Sequence, residues 1–284
     1  HWQDKHVDWL LAPFELGFQQ RALLGGVLAA LMASTVGTWL VLRGMSFFGD
    51  AFVHGVVPGV AAAVVLDVNP LLGAAVAAAV MVAAIELVQR KTVLGEDTSI
   101  GLLFVGMLAL GVVIISRMDS YSGSLTSILF GDALGVTSAD IAGQTIVLVI
   151  VLATSLLLYR PLVALSLSKD KAELLGMKPG LAHAALLVLI ALAVIGSYQS
   201  VGTLLVFGLL VGPPATASLM TKTIRSMMAV AGLIGVVAVW FGLTLSYYLG
   251  TAASATMALV PIVAFFLVLA TKSLLKTVKV GVEA

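Results

Sequence analysis

The sequence predicts an all-α, polytopic membrane protein with about nine transmembrane helices, within a range of eight to ten, and three observations predict it. Of 284 residues, 61% are hydrophobic and 10% charged, whereas a soluble domain carries roughly a quarter charged residues. Mean hydropathy is +1.14. The charged residues gather between long apolar runs instead of interrupting them, so the bilayer is the solvent for one transmembrane unit over 18–271. A closed β-barrel would show alternating segments of roughly ten residues, and these runs are continuous.

Five stretches lack Asp, Glu, Lys and Arg over a single span length: Ala22–Leu42, Ala51–Leu66, Val68–Ile85, Thr98–Ser116 and Ile141–Tyr159. They hold 21, 16, 18, 19 and 19 residues, close to the roughly 20 that cross a hydrocarbon core of about 30 Å. Pro179–Thr221 and Ser226–Thr271 run to 43 and 46 residues, so each is expected to be a pair of spans. The expected breaks are Gly196-Ser197 and Leu249-Gly250-Thr251. Ser120–Gly131 is left as a re-entrant or interfacial segment.

With nine spans, twelve of the fifteen basic residues fall at one set of helix ends and three (Lys5, Arg21 and Arg117) at the other. The positive-inside bias puts the twelve in the cytoplasm. The amino-terminal segment 1–17 is then expected outside, and the tail 272–284 inside. The connection Arg160–Gly180 is the longest one on the cytoplasmic side. It carries the helix formers Ala172-Glu173-Leu174-Leu175, closed by Gly176 and Pro179, which fit a short helix lying against the membrane; an ordinary positively charged loop is the alternative there.

Composition excludes several function classes. The chain has no cysteine, which removes disulfides, thiolate metal sites and cysteine nucleophiles. A net charge of +1 gives no footprint for nucleic acid. No G-x-x-x-x-G-K-[ST] phosphate loop and no H-E-x-x-H occurs, so neither nucleotide hydrolysis by that loop nor the commonest zinc-protease chemistry belongs to this chain. Gly49-Asp50 and Gly131-Asp132 lack the glycine two positions earlier that membrane aspartyl proteases carry, and an enzyme is not expected.

Ionisable residues inside spans are costly and functional by default. Asp50 and His54 stand out, because their i, i+4 spacing puts a carboxylate and an imidazole on one helix face. Together they suit a divalent manganese, zinc or iron(II) ion. The competing reading is structural: Asp50 caps the second helix and His54 is hydrogen-bonded in the bundle. Gly55 and Gly59 flank Pro58 as a small-xxx-small packing pair, and Pro58 is a candidate helix break. Pro213-Pro214 should interrupt the hydrogen-bond ladder of the late span, and broken helices line transport paths. His183 opens the sixth span as an interfacial residue.

The run LRGMSFFGDAFVHGVVPGV at Leu42–Val60 resembles the second-helix signature of the permease subunit of manganese and zinc ABC importers, the ABC-3 family. EDTSIG at Glu96–Gly101, SILFGDALGV at Ser127–Val136 and VGTLLVFGLLVGPPATASLM at Val201–Met220 are similar to further segments of that family in the same order. LLAPFE at Leu10–Glu15 is similar to the amino terminus of its manganese branch. The resemblance implies an ABC importer transmembrane domain, homodimeric, in a bacterial plasma membrane. It further implies two cytoplasmic ABC ATPase subunits that supply ATP hydrolysis, and an extracytoplasmic metal-binding protein that delivers Mn2+ or Zn2+ as cargo, with no resident cofactor. It places metal contacts at Asp50 and His54. It places the ATPase-coupling element in the 160–180 connection, at Lys169, Asp170, Ala172, Glu173 and Gly176, although Ser168-Lys169-Asp170-Lys171 replaces a more acidic stretch there. Two other readings stay open at this point: a permease for chelated metal, cobalamin or siderophore, and a self-sufficient ion-coupled metal transporter.

Overall fold

The computed structural model describes residues 9, 11–92, 96–117, 134–167, 176 and 178–282. After a 3-10 turn at Ala12–Glu15, the helices are α1 (Gly17–Leu42), α2 (Ser46–Gly55), α3 (Val57–Val65), α4 (Pro70–Lys91) and α5 (Glu96–Ile115). They continue with α6 (Ser138–Leu157), α7 (Tyr159–Leu167), α8 (Pro179–Met220), α9 (Ile224–Leu249) and α10 (Ala253–Val282). No strand occurs among the described residues. Eight helical segments there are long and apolar enough to cross a membrane, α2 and α3 counting as one, and Leu204–Met220 is a shorter apolar helix. The all-α polytopic expectation holds.

Local chemistry sets the helix ends. The Asn69 side chain accepts from Leu71 N at 2.9 Å ahead of Pro70, and Thr137 and Asp140 form a reciprocal capping box at α6. Gly250, at φ 64°, closes α9 where the sequence places that break.

α1 is the central post, packed on α2, α6, α8 and α9. Ser34 Oγ donates to the Ala231 carbonyl of α9 at 3.1 Å, and Trp39 Nε1 donates to Ser155 Oγ of α6 at 3.1 Å. Trp39, Phe48, Phe52, Met32 and Leu186 are among the largest fully buried side chains. Lipid is as apolar as this core, so close packing holds the helices together rather than the expulsion of water. The closest approach of α3 and α4 shows how: Gly59 and Gly73 face each other, and a Cβ on either would run into the other's carbonyl.

The contacts define two faces. At one, Arg21 Nε donates to the Val136 carbonyl at 3.0 Å, and Trp9 stacks on Tyr248 at 4.9 Å. At the other, Arg43 Nη1 donates to His183 Nδ1 at 2.9 Å, which ties the end of α1 to the beginning of α8. Arg225, just beyond the end of α8, lies over the Tyr159 ring, whose edge meets Trp39 near that same end of α1. Both ends of α8 therefore share a face. A straight 42-residue helix would measure about 63 Å, twice the hydrocarbon thickness; instead the chain turns back at Gly202, whose φ 75°, ψ 167° only glycine adopts without strain.

The structure departs from the sequence expectations at two places in α8. The break in the first long pair falls at Gly202, not at Gly196-Ser197. Gly196 spends its missing side chain on packing, since a Cβ there would come within 2.9 Å of Val147 on α6. Pro213-Pro214 does not break the second arm of α8, where backbone angles stay helical. The ladder bond lost at Pro214 frees the Leu210 carbonyl, and that carbonyl rests directly against Gly37 of α1, a close approach in which a Cα–H···O contact replaces part of what was lost.

One helix lies outside any sequence expectation. α7 (Tyr159–Leu167) follows α6 after a single residue and buries Leu162, Ala164 and Leu165, with Pro161 in its first turn where no donor is needed. The helix expected around Ala172–Leu175, with Lys169, Asp170, Ala172 and Glu173, lies outside the described residues, as does Ser120–Gly131. Gly176 is described; it has φ 69°, which fits a turn closing that connection.

Candidate metal pathway site

The chain leaves α1 through Arg43 and Gly44, whose φ of 67° makes the turn, and Met45 N bonds back to the Leu40 carbonyl at 2.9 Å. α2 then starts at Ser46 with no side-chain cap. Asp50 is already one turn inside the helix, so the capping alternative is excluded by position. His54 follows one turn later on the same face, with Nε2 3.3 Å from Asp50 Oδ1. Each side chain is 27% exposed, and both lie in the first half of the Ser46–Val65 span, on the side of the Arg43–His183 contact.

That geometry fits one shared cation. Ligands held about 2.0–2.2 Å from an ion at tetrahedral or octahedral angles sit about 2.9–3.5 Å apart, and the oxygen–nitrogen separation falls in that range. No group of three or more His, Asp or Glu converges anywhere among the described residues. This chain therefore presents two side chains of ligating type on a partly open face, too few to close a cage by themselves.

The surroundings hold the pair in place. Phe104 of α5 meets the His54 ring edge-on at 6.0 Å and the Phe47 ring at 5.8 Å. Phe47, Asp50 and His54 form one stripe along α2, with an i, i+3, i+7 spacing visible in the sequence. Phe104 comes from another helix and carries no sequence signal. Behind the stripe, Gly55 lets the Met81 side chain of α4 press against the backbone, the packing role expected of that glycine. The helix divides at Val56, two residues before Pro58, because proline cannot donate into the preceding turn. Pro213 and Pro214 sit on α8, which packs against α2. His183 is 4% exposed and engaged with Arg43, and it does not join Asp50 and His54.

Fold and local geometry together define a multi-pass helical membrane protein with a close acid–imidazole pair inside one span. Residues 15–272 match the ABC 3 transport family, and the chain belongs to it. It is 34% identical over 253 residues to the manganese transport system membrane protein MntC of Listeria innocua, a match covering 89% of this chain and 90% of that one. It is 32% identical to the chelated iron transport system membrane protein YfeD of Yersinia pestis, covering 84% and 80%. Among solved structures, it superposes on a chain of PsaBC from Streptococcus pneumoniae in complex with Fab with a TM-score of 0.82 and 30% identity, covering 92% of this chain and 94% of that one.

Proposed function

We propose that this chain is the permease subunit of an ATP-driven importer that moves a divalent transition metal, manganese foremost and zinc next, into the cytoplasm. The Asp50–His54 pair carries this reading: an acid and an imidazole at ligand spacing, half-open, inside a span where an idle charge is costly. The match to a manganese-named relative over nearly the full chain supports manganese.

Two ligands per chain suit a homodimer in which two copies face one another across the path. A closed high-affinity cage would trap the ion, whereas a shared, weakly held one lets it pass. Two cytoplasmic ATPase subunits bind the 160–180 connection and drive the copies between outward and inward access, and an extracytoplasmic protein hands over the ion. The sequence count of twelve basic residues at one set of helix ends against three at the other supports a cytoplasmic Arg43 end in a bacterial plasma membrane by the positive-inside bias, with the amino terminus outside.

The test is uptake of labelled manganese by cells or proteoliposomes carrying the assembled transporter. Asp50→Ala and His54→Ala should each abolish uptake while the chain still co-purifies with its ATPase, and undiminished uptake refutes the site. A second reading, transport of a chelated metal, is favoured by the similarity to YfeD. Competition between bare manganese, zinc and iron ions and an iron chelate separates the two, because a chelate needs no bare carboxylate and imidazole in its path.

A further inference from the structure

Between α1, α6 and α9 the surface holds a groove of about 920 Å³. It lies apart from the Asp50–His54 face, which belongs to α2 and is flanked by α5. Its walls are apolar and open, with Leu156 73% and Leu233 65% exposed. One end carries two cations, Arg160 and Arg225, with Arg225 Cζ 5.4 Å from the centroid of the Tyr159 ring. Neither arginine has a carboxylate partner among the described residues. Along α9 the groove runs from Arg225 to Val236, a rise of about 16 Å, against about 15 Å for half the hydrocarbon core. Its length thus matches one leaflet, and its two charges lie together at one end.

We propose that this groove binds one anionic phospholipid of that leaflet, with the phosphate between Arg160 and Arg225 and an acyl chain lying between α6 and α9. A guanidinium fork matches phosphate oxygens in pairs, and the amino-terminal end of α9 adds its positive dipole on the same side. A second copy of this chain is a poor occupant: a two-fold interface is self-complementary and would bring together four arginines that have no carboxylate partner among the described residues.

The experiment is native mass spectrometry of the purified, delipidated full chain titrated with palmitoyl-oleoyl phosphatidylglycerol or phosphatidylcholine. The wild type should prefer the glycerol lipid by about 30-fold, roughly fivefold for each arginine. The double variant R160Q/R225Q should lose that preference. Ala229→Phe, which fills the groove from an exposed position and leaves both arginines in place, should lower binding of both lipids. Equal binding of the two lipids by the wild type overturns the proposal, and so does phosphatidylglycerol binding unchanged in both variants. Disulfide cross-linking between two A229C chains, clean in a protein without cysteine, would assign the groove to a second copy and overturn it as well. None of these readouts depends on metal transport, so a failed uptake test leaves this one intact.

Discussion

Replacing Gly37 by alanine probes the tightest helix approach at a glycine among the described residues. The added Cβ would fall inside contact distance of the Leu210 carbonyl oxygen and carbon, backbone atoms that cannot swing aside as a side chain would. An ordinary carbon–oxygen separation is about 3.3–3.6 Å, so α1 and the second arm of α8 must part by more than about 1 Å. A gap of about 0.5–1 Å forfeits a quarter to a half of each dispersion contact, and the fully buried Val36, Leu40 and Leu209 sit beside that seam. Overpacking costs about 1–3 kcal/mol, and losing the Cα–H···O contact adds about 0.5–1 kcal/mol. The better helix propensity of alanine returns about 1 kcal/mol, leaving a net loss of about 2 kcal/mol. At about 2–4 °C per kcal/mol for a chain approaching this size, the melting temperature in detergent should fall by about 4–8 °C. Gly232→Ala is the matched control: its Cβ would meet only Leu31 Cδ2 at 3.5 Å, so its melting temperature should hold or rise. If Gly37→Ala melts no lower than the wild type, or no differently from Gly232→Ala, the packing argument is wrong.

Gly202→Ala forces a non-glycine residue to φ 75°, ψ 167°, which should cost about 1–3 kcal/mol and show as a lower melting temperature, whereas Gly143→Ala, in open space on α6, should not. Trp39→Phe removes the donor to Ser155 and should cost about 0.5–1.5 kcal/mol, read by the same melt; no change would mean that the hydrogen bond adds nothing. Asp50→Asn keeps the side chain's size and removes its charge, and manganese uptake should drop by about tenfold or more, the equivalent of about 1.4 kcal/mol in ion affinity; full uptake would show that the carboxylate charge is not used. Gly59→Val drives a branched side chain into the Gly73 carbonyl, and loss of the folded, monodisperse protein is the expected outcome in size-exclusion chromatography.

Much of the site was legible because it consists of near neighbours. Asp50 and His54 are four residues apart on one helix, and the i, i+4 rule brings them together without knowledge of any other element. The sequence left the capping reading of Asp50 open because the charge-free run begins only at Ala51. The helix begins five residues earlier, at Ser46. Phe104 was illegible, because nothing in a single sequence states which residue of a distant helix comes to lie beside His54.

The amino-acid order by itself determined where the chain crosses the membrane, since each crossing needs only a long enough run without charge, and it determined the turn at Gly250. The Arg160–Arg225 groove and the α1–α8 seam were decided only by tertiary packing, and so was the choice between Gly196 and Gly202 as the reversal point. Both glycines lie near the middle of the long run, and both lack a Cβ. Only the placement of α6 and Val147 assigns one of them to packing and leaves the other to bend the backbone. The same holds at Pro214, where a rule about a single helix predicted a break, and a carbonyl resting against a glycine on the neighbouring helix allowed the helix to continue.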